Sequence, residues 1–221
     1  MADCFFAGVL WLAIKILGGF FPGYVEFLSS ITTYRGPSSV NHPCRVSSMS
    51  SGDLRERIFT LIYSKNKTEE AILQLNGILK TSPENSQAIA LKAYALNKLA
   101  NTRRDWKYSQ QALEYADRAL ALNLNDDIAL TSKGWALIDN GRGFEALPIL
   151  QQATRVNPNN EYSWYNLAWA QYLTGDGAAS TESIARALRI SPGNPIIRRG
   201  KEMMERGEVP EHLKKEPRSL E

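Results

Sequence analysis

Cysteine and histidine, the residues that most often bind transition metals, are scarce in this sequence. The chain of 221 residues has two of each, and His42 stands beside Pro43 and Cys44. No further ligand follows at the spacing of a zinc site, so we interpret His42 and Cys44 as linker residues. Two cysteines also exclude a framework of several disulfides. We therefore expect no metal site in this chain.

Two glycine-rich segments are the places where a phosphate could be held. They are Gly141-Arg142-Gly143 and Gly175-Asp176-Gly177, which stand 34 residues apart. Neither has the pattern of a nucleotide-binding loop, and their equal spacing is typical of turns between repeated helices. No serine or cysteine stands in the pattern of a nucleophile elbow. The sequence therefore predicts a non-catalytic protein without a cofactor.

Aromatic residues form the most informative pattern. Tyr162, Tyr165, Trp169 and Tyr172 are spaced so that they share one face of a helix. One period of 34 residues earlier, the same positions hold Ile128, Thr131, Trp135 and Ile138, and before that they hold Gln87, Ala90, Tyr94 and Asn97. Large aromatic side chains anchor protein interfaces, and they also fill the space between packed helices.

The period of 34 residues runs through most of the chain. Pro158 and Pro192 are one period apart, and small residues recur at Ala93, Gly134 and Ala168, where paired helices would approach closely. The alanines follow the same steps, at Ala119, Ala153 and Ala187. Each period contains two amphipathic helices. The pattern predicts an array of stacked helical pairs.

Three features depart from this period. Extra residues within 100–109 bring together Arg103, Arg104, Trp106 and Lys107. We interpret them as two lengthened helix ends with a solvated tip, and a protruding contact for an acidic partner is the alternative. Pro148 should kink its helix or lie in the first turn. Phe59 stands in the first pair at a position that should be small, so irregular packing is expected there.

At these positions the chain resembles the tetratricopeptide repeat family. The matching residues are Leu130, Gly134, Leu137, Ala146, Leu150, Ala153 and Pro158 in one repeat, and Trp164, Leu167, Ala168, Ile184, Ala187 and Pro192 in the next. The resemblance covers residues 52–192. It implies an all-α, right-handed α-solenoid of about four helix-turn-helix repeats with a C-terminal capping helix. The cap would span 194–206, with Ile196, Ile197, Met203 and Met204 facing inward.

The resemblance also implies a concave groove lined by the first helix of each pair. Thr60, Tyr94, Trp135 and Trp169 would then form a ladder along the groove, with rings that are partly exposed if they bind a partner. Packing between adjacent first helices is the alternative, and Trp164 is assigned to the core. The candidate partner-binding residues are Tyr94, Ile128, Thr131, Trp135, Tyr162, Tyr165, Trp169 and Tyr172.

Some members of the family clamp the C-terminal carboxylate of heat-shock chaperones with lysine and asparagine residues. The corresponding positions here hold Ala90, Tyr94, Thr131 and Trp135, so we do not expect that clamp. We interpret Asn166 as a structural hydrogen-bonding residue.

The N-terminal segment differs from the repeats in its amino-acid composition. Residues 5–28 are nearly all apolar apart from Lys15, Pro22 and Glu26, and arginines follow them. That pattern predicts a possible membrane anchor with the repeats on the cytoplasmic side. A targeting peptide and a start at Met49 are the alternatives. Met49 is followed by small polar residues and then by the first predicted helix, whereas residues 1–48 show no repeat pattern and 29–48 have the composition of a polar linker.

The net charge and the division of the chain into segments lead to the predicted function. A net charge of +3 from 26 basic and 23 acidic residues gives no basic patch of the kind that nucleic-acid binders show. We divide the chain into residues 1–48, the repeats at 49–193, and the cap with a charged tail at 194–221. The sequence predicts a cytoplasmic scaffold that binds a protein or peptide partner in an aromatic groove. The alternative is a membrane-tethered assembly factor for a membrane complex.

Overall fold

The computed structural model describes residues 51–64 and 66–213, and these residues form helices joined by short turns. The apolar segment 5–28, the linker, Met49 and the tail 214–221 lie outside the described residues. The helices are α1 (Ser51–Phe59), α2 (Thr68–Thr81), α3 (Ser86–Arg103), α4 (Trp106–Leu122), α5 (Asp127–Asp139), α6 (Gly143–Val156), α7 (Glu161–Leu173), α8 (Gly177–Ile190) and α9 (Pro195–Glu205). A π-helical turn, Thr60–Ser64, continues α1, and a 3₁₀ turn, Glu211–Leu213, follows α9. They make four helical pairs and a capping helix, as predicted.

The turns between pairs repeat because the same side chains begin the next helix. Asp126, Asn160 and Asn194 stand one period apart and precede α5, α7 and α9. Their side chains accept hydrogen bonds from the backbone N–H groups of the first helical turn, which would otherwise lack partners. The same type of side-chain cap therefore begins the first helix of each of these pairs and the capping helix.

The turns within pairs depend on glycine. Gly141 and Gly175 have positive φ angles of 76° and 91°. The N–H of the next residue reaches back to the preceding helix, from Arg142 to the Leu137 oxygen at 2.8 Å and from Asp176 to the Gln171 oxygen at 2.9 Å. Glycine adopts this left-handed conformation without strain. Both glycine-rich segments are therefore turns, as predicted.

Small residues let the paired helices approach. A Cβ atom placed on Gly134 would lie 2.4 Å from the Cγ of Leu150 on α6. Ala93 and Ala168, at the equivalent positions of the neighbouring pairs, are fully buried. The predicted close approach is confirmed, and it fixes the register of the array.

The first pair is irregular where Phe59 stands. The α-helix ends at Phe59, whose ring lies 5.1 Å from that of Tyr94, and the π-helical turn follows at once. The wider turn shifts the register, so Thr60 is exposed and Tyr63 faces the other first helices. The prediction that Thr60 belongs to the aromatic ladder is therefore wrong, and Tyr63 takes that place.

The structure also shows how the chain accommodates the other two departures from the period, the extra residues and Pro148. The extra residues lengthen α3 to 18 residues and α4 to 17, which confirms the interpretation as longer helix ends. Arg103 at that tip pairs with Glu69 at 2.8 Å. Pro148 lies in the second turn of α6, not the first, and the helix continues through it.

The capping helix packs on the last helical pair, but one of its four predicted inward-facing residues is exposed. Ile197 is fully buried beside Ala168 and Ile184, and Met203 and Met204 pack against the core. Ile196 keeps 37% of its surface exposed, so its predicted inward position is wrong. None of the helices within 51–64 and 66–213 has the length and apolarity to cross a membrane.

Candidate functional site

The first helices of the pairs bring their aromatic rings together on the concave face. The rings of Tyr94 and Trp135 lie 5.5 Å apart edge to face, and Tyr94 meets Tyr162 in the same way at 6.2 Å. Tyr63 stacks on Tyr162, with ring centres 5.5 Å apart and planes within 8° of parallel. The hydroxyls of Tyr63 and Tyr94 are hydrogen-bonded. These contacts join the first, second, third and fourth pairs across the concave face.

A second aromatic group lies entirely on α7. Trp169 contacts Tyr165 at 6.4 Å and Tyr172 at 5.7 Å, both edge to face. Trp169 itself packs against the core formed by Leu137, Ile138 and other residues of α5 to α7. The indole of Trp169 is thus part of the packed interior as well as of the concave wall.

The predicted site residues divide into two sets by exposure. Trp135, Tyr162, Tyr165 and Tyr172 are half-buried, so part of each ring reaches solvent. The buried set contains Tyr94, Ile128, Thr131 and Trp169, none of which exposes more than 4% of its surface. The expectation that the anchor rings are partly exposed in the free protein is wrong for Tyr94 and Trp169. Rings from the other first helices surround Tyr94, and Trp169 packs among Leu137, Ile138 and other core residues.

The buried set has structural partners. The Thr131 hydroxyl lies 2.6 Å from that of Ser163 on α7 and also donates to the Asp127 carbonyl at 2.6 Å. Ile128 belongs to the same core cluster as Tyr94. Because these side chains face neighbouring helices, they are not available for contact with a partner, and the half-buried set remains the candidate site.

A small cavity of about 120 Å³ opens between these rings. Trp135, Tyr162, Tyr165 and Trp169 form its aromatic walls. Its polar lining comes from Lys98 and Asn101 on α3, Asp139 on α5 and Asn166 on α7. An adjoining cavity of about 580 Å³ extends from Trp169 towards Arg104, Trp106 and α9. The two cavities adjoin because both are lined by Asp139, Tyr165 and Trp169, and we refer to them together as the candidate groove.

The electrostatics of this cavity follow from burial. Withdrawal from water raises the pKa of Asp139 from 3.8 to about 8, although a hydrogen bond from the Trp135 side chain favours the ionised form. Burial lowers the pKa of Lys98, whose ammonium lies 5.4 Å from the centre of the Tyr63 ring. Both shifts have the same cause, because an apolar wall disfavours a charge of either sign.

Asn166 is a polar residue of the cavity wall whose amide nitrogen the protein leaves without a partner. It is 6% exposed, and its Nδ2 atom has no hydrogen-bond partner. Asn97, two helical pairs earlier in the array, is also buried, but its Nδ2 donates to the Ser132 carbonyl at 2.8 Å. The sequence predicts a structural hydrogen-bonding role for Asn166, and its amide nitrogen does not play that part here.

Comparison with known proteins identifies the array. The family model of the tetratricopeptide repeat matches residues 131–195, which span α5 to α8. A thermophilic tetratricopeptide repeat protein of Thermus thermophilus, TTC0263, has a similar structure. It is 17% identical, with a TM-score of 0.57 over 72% of this chain and 84% of that one. Residues 131–195 thus match the tetratricopeptide repeat family, and the described helices have the fold of such repeat proteins.

A second solved structure has the same fold as this repeat protein. Residues 41 to the end of MamA from Desulfovibrio magneticus RS-1 match with a TM-score of 0.50 at 19% identity. The match covers 71% of this chain and 84% of that one. These similarities confirm the right-handed solenoid and, at such low identity, speak to the fold alone. A search of curated proteins returned no significant match.

Sequence reasoning missed several residues that line the small cavity, among them Tyr63, Lys98 and Asp139. Tyr63 was missed because the π-helical turn changes which residue faces the groove. Lys98 and Asp139 were missed because they stand one position beyond the periodic stripe, near the ends of α3 and α5. Among the described residues, no three His, Cys, Asp or Glu side chains converge as a metal site.

Proposed function

We propose that this protein is a non-catalytic scaffold that binds a segment of a protein partner in its concave groove. The observation that carries the proposal is the Nδ2 atom of Asn166, a buried donor without a partner at the wall of an aromatic cavity. Trp135, Tyr162 and Tyr165 supply half-buried rings around it.

The chemistry of the cavity favours a peptide segment as the ligand. Buried polar atoms are almost always hydrogen-bonded, so an orphan N–H donor indicates an acceptor supplied from outside. A backbone carbonyl is such an acceptor, and every residue of an extended segment presents one. Aromatic rings contribute apolar contact with little loss of conformational freedom, as at the anchors of many interfaces. We propose no role for nucleic acid.

The test compares two buried asparagines. Peptides selected from a displayed random library against the immobilised full chain are the probe, and binding is measured by fluorescence anisotropy. Asn166→Ala should weaken selected peptides about tenfold, since a hydrogen bond to a buried donor is lost. Its stability should change by less than about 1 kcal/mol, because no bond from the amide nitrogen within the protein is broken.

Asn97→Ala is the matched control. It removes a buried asparagine whose Nδ2 already has a partner, so it should destabilise the fold by about 1–3 kcal/mol. Its affinity for the same peptides should stay within twofold of the parent chain. Peptides that bind equally well to the parent and to Asn166→Ala would contradict the proposal.

The membrane-tethered assembly factor remains a second candidate. The observation in its favour is the apolar stretch at residues 5–28, which has the composition of a membrane span. In that case the same groove would act beside a membrane, with the repeats in the cytoplasm.

A further inference from the structure

The chain returns to its own groove after the capping helix. Gly207, with a φ angle of 71°, ends α9 in the left-handed conformation. The N–H of Glu208 donates to the Met203 carbonyl at 2.8 Å and that of Gly207 to the Met204 carbonyl at 3.1 Å, which is the pattern of a Schellman motif. This turn reverses the chain and directs the residues that follow towards the concave face.

The returning segment, Val209–Leu213, lies against helix α5. Leu213 packs on the cluster that contains Leu137, Ile138 and Trp169. Its N–H donates to the Pro210 carbonyl at 2.9 Å, which closes the 3₁₀ turn. Pro210 and Leu213 both line the small cavity beside the aromatic rings. A segment of this chain thus places two apolar side chains, Pro210 and Leu213, in the groove that we assign to a partner.

The segment is not needed to cover the end of the solenoid. Helix α9 already performs that task through Ile197 and Met204, which pack on the last pair. Val209, Pro210 and Leu213 instead lie on the concave side and stay half-buried. A contact of this size, made by three residues, is small enough to be displaced.

We propose that Val209–Leu213 is an internal ligand of the groove. The partner segment that replaces it would carry a proline and an apolar side chain three positions later, the spacing of Pro210 and Leu213. This proposal rests on the proposed function, because it names the chemistry of the segment that the groove accepts. Proline restricts the backbone in advance and so lowers the cost of ordering a bound segment.

Tethering makes the internal ligand effective despite its small contact. A short connection to α9 holds the segment near its site at an effective concentration in the millimolar range. A free peptide of the same sequence must compete with it. Release of the tethered segment should therefore raise the apparent affinity of the free peptide by about tenfold or more.

The test uses the full chain and a fluorescein-labelled synthetic peptide of residues 207–215. Leu213→Asp should release the segment, since a carboxylate does not fit against Trp169 and Ile138. Leu124→Asp is the matched control, because Leu124 is 72% exposed between α4 and α5. The peptide should bind the Leu213→Asp chain at least tenfold more tightly than the parent or the control. A labelled peptide with aspartate in place of its leucine should bind none of the three.

Two outcomes would overturn the internal ligand. One is equal affinity of the labelled peptide for the parent and the Leu213→Asp chain, with the milder Leu213→Ser chain giving the same result. The other is a library-selected peptide that depends on Asn166 but binds the parent and the Leu213→Asp chain equally. The second outcome would leave the proposed function in place, whereas selected peptides indifferent to Asn166 would overturn the proposed function itself.

Discussion

The buried carboxyl of Asp139 should make the stability of this protein depend on pH. Its Oδ2 atom is covered by the surrounding groove, and burial raises its pKa from 3.8 to about 8. In the unfolded chain the carboxyl loses its proton near pH 4, whereas in the folded chain it keeps the proton to about pH 8. The free energy of unfolding should therefore fall as the pH rises from about 4 to about 8, and level off above that.

The magnitude follows from the size of the shift. At about 1.4 kcal/mol per pKa unit, a rise from 3.8 to about 8 corresponds to an upper limit of about 6 kcal/mol. The residue as a whole is only half-buried, so water reaches part of it and reduces the cost of ionisation. We expect a loss of about 2–4 kcal/mol between pH 4 and pH 8. The charged groups around the same cavities are Lys98, Arg104, Asp105, Arg199 and Glu211.

Asp139→Asn tests this assignment. The amide does not titrate and can still accept the hydrogen bond from Trp135, so the variant should match the parent at pH 4 and exceed its stability by about 2–4 kcal/mol at pH 8. Urea unfolding followed by circular dichroism at pH 4, 6 and 8 measures the difference. Asp117→Asn, at an exposed aspartate paired with Lys133, is the control and should keep the parent's pH dependence. The reasoning would be refuted if the free energies of unfolding of the parent and Asp139→Asn differed by the same amount at pH 4, 6 and 8.

Three other predictions concern the fold and the N-terminal segment. Gly134→Ala should destabilise the protein by about 1–3 kcal/mol, because its Cβ would meet Leu150. Gly77→Ala, in open space on α2, should instead stabilise it by up to about 1 kcal/mol in the same thermal melts. Trp169→Ala should lower the free energy of unfolding, measured in urea, by about 3–5 kcal/mol. The same change at the half-buried Trp164 should lower it by less, and the reverse order would contradict the burial of Trp169. If residues 5–28 anchor the protein, the full chain should pellet with membranes and residues 49–221 should stay in the supernatant.

The repeated part of the fold was predictable because each helical pair depends on local signals. The positions of Gly134, Ala93 and Ala168 indicate where helices approach, and the structure confirms them. The spacing of residues within one helix also decides which of them share a face. For this reason the sequence predicted that Tyr94, Trp135 and Trp169 lie on the same side of the array. How deeply each ring is buried was not predictable, since it depends on the angle between successive pairs. Small differences in that angle, summed over the array, decide whether a ring meets solvent or the next helix.

The π-helical turn was beyond prediction for a different reason. Phe59 indicated an irregular first pair, but a bulky residue at a close contact can be accommodated by a wider spacing or by a change in helix type. The wider turn at Thr60–Ser64 rotates Tyr63 onto Tyr162, about 100 residues further along the chain. A contact at that separation leaves no periodic signal in the sequence.

That contact has a consequence for binding. In an open solenoid each repeat contacts only its neighbours, so a groove can widen at little cost. Here Tyr63 of the first pair stacks on Tyr162 of the fourth, and Arg55 of the first pair binds Asp127 of the third at 3.2 Å. A partner that spreads the repeats apart must break both contacts, whereas one that enters beside Asn166 and Trp135 breaks neither. If the proposed groove binds a partner, we therefore expect it to accept a narrow extended segment rather than a helix, whose diameter of about 10 Å would require the wider opening.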